Sequence, residues 1–175
     1  DEPTKGLDPL LRAEAVQNLR AIVSSIHGSL LLITHDLQVA GALTEWVAVM
    51  YAGQIVEQGP SGVVLNTPAH PYTIGLLASL PERGFHPIPG MAPSMADLPV
   101  GCRFRPRCRR ADVHCLESPQ LMSHGDNRRV RQLKGQGNVS PLRSGRFETR
   151  ALRCLAAKRS AWWGPAARER ARWRG

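Results

Sequence analysis

Leu30-Leu31-Leu32-Ile33 is an unbroken aliphatic run that delivers Thr34-His35-Asp36 at its end. A continuous apolar run predicts a strand buried on both faces, as in the middle of a parallel sheet. The residues before it supply a helix. Asp8-Pro9 is a strong start, because Asp caps and Pro suits the first helical position. Leu11, Ala15, Leu19, Ile22, Val23 and Ile26 then recur at helical spacing, and Gly28 closes the helix. Thr34-His35 therefore falls at the carboxyl end of a strand, where open α/β sheets place ligands.

Asp1-Glu2 ends the preceding strand in this reading, and Pro3 stops its ladder. Hydrolytic phosphoryl transfer needs one carboxylate to hold Mg²⁺, usually through water, and another to orient the attacking water. Alternation along a strand sends two adjacent acids in different directions, so one pair can serve both purposes. The bland alternative is a solvated acidic N-terminus, and a lone histidine after a strand is usually structural. Here the two features end successive strands.

At this point a family resemblance is visible. Asp1-Glu2-Pro3-Thr4, Gly6-Leu7-Asp8 and Ile33-Thr34-His35-Asp36 resemble the Walker B, D-loop and H-loop segments of ABC transporter ATPases. The resemblance implies that Asp1 holds Mg²⁺ through water, Glu2 is the general base and His35 touches the γ-phosphate of ATP. It places Asp8 at the interface between two nucleotide-binding domains. Lys5-Gly6 departs from the family, which usually has a small or hydroxyl residue followed by Ala.

Downstream, Trp46 to Tyr51 and Gln54 to Gln58 flank Ala52-Gly53 and read as a hairpin. A short helix follows over about Ser61 to Asn66. Pro68-Ala69-His70-Pro71-Tyr72-Thr73 then leads into Leu76, Leu77 and Leu80. On physics alone His70-Pro71 is a helix entry. The segment also resembles the His-Pro-Tyr stretch of oligopeptide/dipeptide-type importers, whose relatives carry nickel. Gly84, Pro87, Pro89, Gly90, Pro93 and Pro99 predict a linker. Charge changes there too. Residues 1–100 hold 4 Lys/Arg against 9 Asp/Glu, and residues 101–175 hold 19 against 5. The basic excess thus lies wholly in the second part.

All four cysteines lie in that basic part. The spacing of Cys102, Cys108, Cys115 and Cys154 is neither a zinc CxxC pair nor a common ferredoxin run. The stretch from Gly101 to Cys115 resembles the cysteine-rich tail of dipeptide-importer ATPases, some of which ligate a [4Fe-4S] cluster. A cluster and unligated thiols both remain open, with Cys154 the less regular fourth ligand. The end of the chain, with Trp162-Trp163 and Arg168 to Arg174, is a solvated extension or an anion-binding surface. No aliphatic run approaches the roughly 20 residues of a membrane span.

The expected fold class is α/β: the C-terminal half of an ABC-type P-loop nucleotide-binding domain, followed by a cysteine-containing, mostly irregular basic tail. The expected division is 1–66 for the ATPase part, 67–120 for the importer-type C-terminal region and 121–175 for a basic, flexible tail. Neither G-x-x-x-x-G-K-[ST] nor an LSGGQ-like signature occurs in the 175 residues. These residues alone are expected neither to bind ATP tightly nor to fold robustly. The implied parent is a peripheral ATPase subunit at the cytoplasmic face of the membrane, powering peptide or nickel uptake. Its implied partners are a permease, a second ATPase subunit and, indirectly, an extracytoplasmic solute-binding protein, with no nucleic acid. The alternative is an inactive remnant that binds metal or serves as an interaction module.

Overall fold

The computed structural model describes residues 1–26 and 29–132. Helix α1 spans Pro9–Ser25, and the Asp8 carboxylate caps it by accepting the amides of Leu10 (2.9 Å) and Leu11 (3.0 Å). Pro9 holds the first helical position, as expected. The expected stop, Gly28, lies outside the described residues. Helix α2 spans Leu37–Leu43 and is capped by Asp36 in the same manner. Strands β1 (Trp46–Tyr51) and β2 (Gln54–Pro60) form the expected hairpin. Its turn residues Ala52 and Gly53 lie at φ 45° and 77°, the pairing that two-residue hairpins require. Helices α3 (Ser61–Asn66) and α4 (Pro71–Ala78) follow, both where the sequence places them.

Two strands lie where composition shows only a basic tail. Strands β3 (Gln120–Ser123) and β4 (Arg129–Gln132) form a second hairpin and complete a four-stranded sheet of order β1-β2-β4-β3. Every pairing is antiparallel. The turn between β3 and β4 carries Gly125, Asp126 and Asn127, all at positive φ, and these residue types tolerate that region best.

Two expectations about strands fail. Residues 30–33 form no strand, and Leu31 and Ile33 are 86% and 59% exposed. Asp1-Glu2 does not end a strand either. The physical reason is the ladder. Aliphatic side chains favour a buried strand only when neighbours satisfy its backbone. Among the described residues the run receives one such bond, from the Glu2 amide to the Ile33 carbonyl at 2.7 Å. The described sheet is accordingly antiparallel, not parallel. Helix α1 packs on α2 and buries no residue. The architecture is a mixed helix and sheet fold. The basic stretch from residue 133 onward, including Cys154, Trp162 and Trp163, lies outside the described residues.

The core sits where the first hairpin meets α3 and the loop after Gly101. Val49, Tyr51, Val56, Val64 and Phe104 are buried together, with Tyr72, Leu76, Ile88, Cys102 and Cys108 packed against them. The rings of Tyr51, Tyr72 and Phe104 stand 4.5 to 5.5 Å apart in tilted and edge-to-face pairs, the geometry that aromatic quadrupoles prefer. Arg107 donates to the Ile88 and Pro89 carbonyls (3.1 and 3.0 Å), so the Pro-rich linker is irregular but fastened.

Gly101 permits the approach that brings the cysteine loop onto this core. It lies at φ 79°, and a Cβ there would fall 2.4 Å from the Cys115 carbonyl oxygen and 2.5 Å from that of Leu116. Both obstacles are backbone and cannot rotate away. Gly101→Ala is expected to destabilise the fold by about 3 kcal/mol, combining left-handed strain with overpacking. Urea unfolding followed by circular dichroism measures this; a midpoint equal to that of the parent protein would refute it.

Candidate functional site

Glu2 and His35 meet. The His35 amide donates to Glu2 Oε1 at 2.8 Å, and His35 Nδ1 lies 2.8 Å from the same oxygen. The Thr34 hydroxyl donates to Glu2 Oε2 at 3.2 Å. These contacts, the His35 side-chain bond foremost, hold the Glu2 carboxyl below the usual carboxylate range. Glu2 is therefore ionised near neutrality, and Nδ1–H is the donor. Glu2 also adopts φ 41°, a left-handed conformation that costs a residue with a Cβ about 1 kcal/mol. The bond from its amide to Ile33 and the three side-chain contacts hold it there.

An ionised carboxylate offers about four acceptor sites. His35 takes two on Oε1 and Thr34 takes one on Oε2, which leaves Oε2 one site for a further donor such as water. The His35 side chain is 81% exposed. With Nδ1 committed to Glu2, its Nε2 is the nitrogen turned to other partners.

Asp36 fixes this pair to the scaffold. Its Oδ1 accepts the amides of Gln38 (3.0 Å) and Val39 (3.1 Å), and its own amide donates to the Thr34 hydroxyl at 3.1 Å. Arg12 Nη1 donates to Oδ2 at 3.2 Å. Asp8 is exposed and spends its carboxylate on the α1 cap. Asp1 is exposed, and no side chain engages its carboxylate among the described residues. A free, hard carboxylate suits a cation such as Mg²⁺, which prefers oxygen donors and keeps several waters. Sequence reasoning left Thr34 and Arg12 without a role. The cap at Asp36 was likewise not anticipated, although Asp is among the preferred N-cap residues.

His70 is buried and caps α4 through its ring: Nδ1 accepts the Tyr72 amide at 3.1 Å. Burial, and then the nearby Arg131 cation, push its pKa down to about 4. It is thus neutral in the folded protein, as an accepting Nδ1 requires. The unfolded chain takes up the proton near the ordinary value of 6.5, before the folded one does. His70 stability is then complete above about pH 6.5 and falls as pH drops toward 4, by up to about 3 kcal/mol. His70→Asn retains a capping oxygen and is expected to flatten that slope. Thermal melts between pH 7 and 4 decide it.

The three described cysteines form no three-ligand metal group with one another. Cys102, Cys108 and Cys115 are free thiols, and among the described residues no group of three His, Cys, Asp or Glu is placed to hold a metal. Burial raises the pKa of Cys108 and Cys115, so in the metal-free chain both are thiols near neutrality. Cys102 and Cys108 instead pack against the aromatic core. Cys154, the fourth cysteine of the expected [4Fe-4S] set, lies outside the described residues.

Residues 56–115 match the family of the oligopeptide/dipeptide transporter C-terminal region. The "Probable D,D-dipeptide transport ATP-binding protein" of Escherichia coli is 40% identical over 132 residues, covering 73% of this chain and 40% of that protein. The oligopeptide transport ATP-binding protein of Bacillus subtilis is 39% identical over 137 residues, covering 75% of this chain and 42% of that protein. The chain spans about 40% of the length of these relatives. The buried Glu57, His70, Phe104 and Cys115 that tie the hairpin, α4 and the cysteine loop together all fall within the matched span. Over residues 56–115 the chain is similar to the C-terminal region of the oligopeptide/dipeptide transporters, and over about three quarters of its length it is similar to ATP-binding proteins of peptide transport.

Proposed function

We propose that these residues form the water- and magnesium-handling side of the ATP site in an ABC importer ATPase that drives uptake of dipeptides or oligopeptides. The observation that carries the reading is the Glu2 carboxylate held between Thr34 and His35 with one acceptor site left over. In this reading Glu2 orients the attacking water and accepts its proton. His35, fixed through Nδ1, presents Nε2 toward the γ-phosphate. Asp1 would hold Mg²⁺ through water, and the ion would neutralise charge on the phosphate oxygens. Asp8 would lie at the seam with a second ATPase subunit while its side chain caps α1. The finer fold is the C-terminal half of an ABC-type nucleotide-binding domain.

No described helix is long and apolar enough to cross a membrane. The proposed protein works at the cytoplasmic face, docked on a transmembrane permease, with an extracytoplasmic solute-binding protein upstream. Deleting the gene and supplying labelled di- and tetrapeptides tests this. Peptide uptake should fall and return with the intact gene, alongside vanadate-sensitive ATP hydrolysis in membranes. Unchanged uptake and unchanged hydrolysis would sink the proposal.

A further inference from the structure

Arg12 stands one turn into α1, its amide bonded to the Asp8 carbonyl at 2.9 Å. Its guanidinium crosses to a residue 24 positions away, placing Nη1 3.2 Å from Asp36 Oδ2. Among the described residues its Nε is buried without a hydrogen-bond partner. The Arg12 side-chain hydrogen bond among the described residues is the one to Asp36.

Asp36 needs only Oδ1 to cap α2. Engagement of Oδ2 by an arginine from another helix fixes the rotation of the carboxylate. The Asp36 amide in turn donates to the Thr34 hydroxyl that bonds Glu2, and His35, whose amide also bonds Glu2, lies between the two. One continuous path results, from the Asp8 cap through α1, Arg12 and Asp36 to Thr34, His35 and Glu2. An exposed ion pair contributes little to stability. This one is partly buried, with side chains 41% and 18% exposed, and joins two elements that carry site residues.

We propose that Arg12 is a positioning residue: through Asp36 it holds His35 against Glu2 and couples that pair to the Asp8 loop. The proposal rests on reading Glu2 and His35 as the hydrolytic pair. Two measurements on the intact protein test it, and the second does so independently of that reading.

The first is ATP hydrolysis in native membranes for the wild type, Arg12→Met, His35→Ala and the double variant. Arg12→Met should lower kcat about tenfold with little change in KM, because a small misplacement of a catalytic group is costly. Arg12→Lys should recover part of the loss. In the His35→Ala background Arg12→Met should cost nothing more, since its effect passes through His35. Multiplicative losses, or an unchanged kcat, would overturn the proposal. The second is hydrogen exchange at the His35 amide. Arg12→Met should speed it about tenfold, as expected for a site opened locally, while the amides of β1 and β2 keep their protection. Unchanged exchange at His35 also overturns it. Should Arg12→Met fail to fold, Asp36→Asn retains a capping oxygen and must give the same two results. A wild type without ATP hydrolysis would refute the proposed function, and the exchange result would still decide the role of Arg12.

Discussion

Replacing Glu57 by Gln is expected to remove about 4 kcal/mol of stability, the usual consequence of stripping one partner from a buried ion pair. Glu57 is fully buried in β2. It accepts the amides of Ala69 (2.9 Å) and His70 (3.0 Å), and Arg128 Nη1 lies 3.4 Å from Oε1. Arg128 is itself buried, donates to the Thr67 carbonyl and approaches His124 Nδ1 at 3.1 Å. A Gln at 57 turns an NH₂ group toward one of the two amide donors and leaves the guanidinium without its counter-charge. The entry to α4 and the β3–β4 hairpin are both fastened here, so both should loosen together. Urea unfolding gives the magnitude. A double variant, Glu57→Gln with Arg128→Met, should recover over half the loss, because it removes the orphaned charge. A single-variant loss under about 1 kcal/mol would contradict the assignment.

Local signals were legible where one residue type carries its own physics. Asp8-Pro9, Ala52-Gly53 and His70-Pro71 each declare a cap or a turn, and each stands where the sequence places it. The direct contact of Glu2 with His35 was not read from the sequence, where the family resemblance implies separate roles for the two residues. What escaped depends on partners. Residues 30–33 are as aliphatic as a buried strand requires, but composition cannot say whether a strand lies beside them. Strands β3 and β4 escaped for the opposite reason. Arg129-Val130-Arg131 offers a single apolar side chain, and the strand is held by Val130 burial and by Arg131 donating to the Ile55 and Pro119 carbonyls (2.8 and 2.9 Å). The Gly125-Asp126-Asn127 turn was the available clue. Glu57 reads as an ordinary outward-facing strand acid until the loop ending in His70 folds over it.

Glu2→Gln should abolish most hydrolysis while sparing nucleotide affinity. If Glu2 accepts a proton from the attacking water, its loss removes about 10² to 10⁴ of rate, the span typical of a positioned general base. KM for ATP should change little, since the interaction is made in the transition state and not on binding. The variant keeps an oxygen for the His35 amide, so the loop should hold its place. Asp1→Asn should behave differently, raising the Mg²⁺ concentration needed for half-maximal rate. The pH profile supplies an independent check. The contacts from His35 and Thr34 hold Glu2 below the usual carboxylate range, so the acid limb that it contributes should fall there too. Above that range Glu2 is ionised and ready, and it leaves the rate flat toward neutrality. A Glu2-dependent limb above the usual carboxylate range would mean that the carboxylate is not held by His35 in the working enzyme. A Glu2→Gln variant with full activity would mean that the water is activated elsewhere, and the His35 contact would then be a structural lock on the loop.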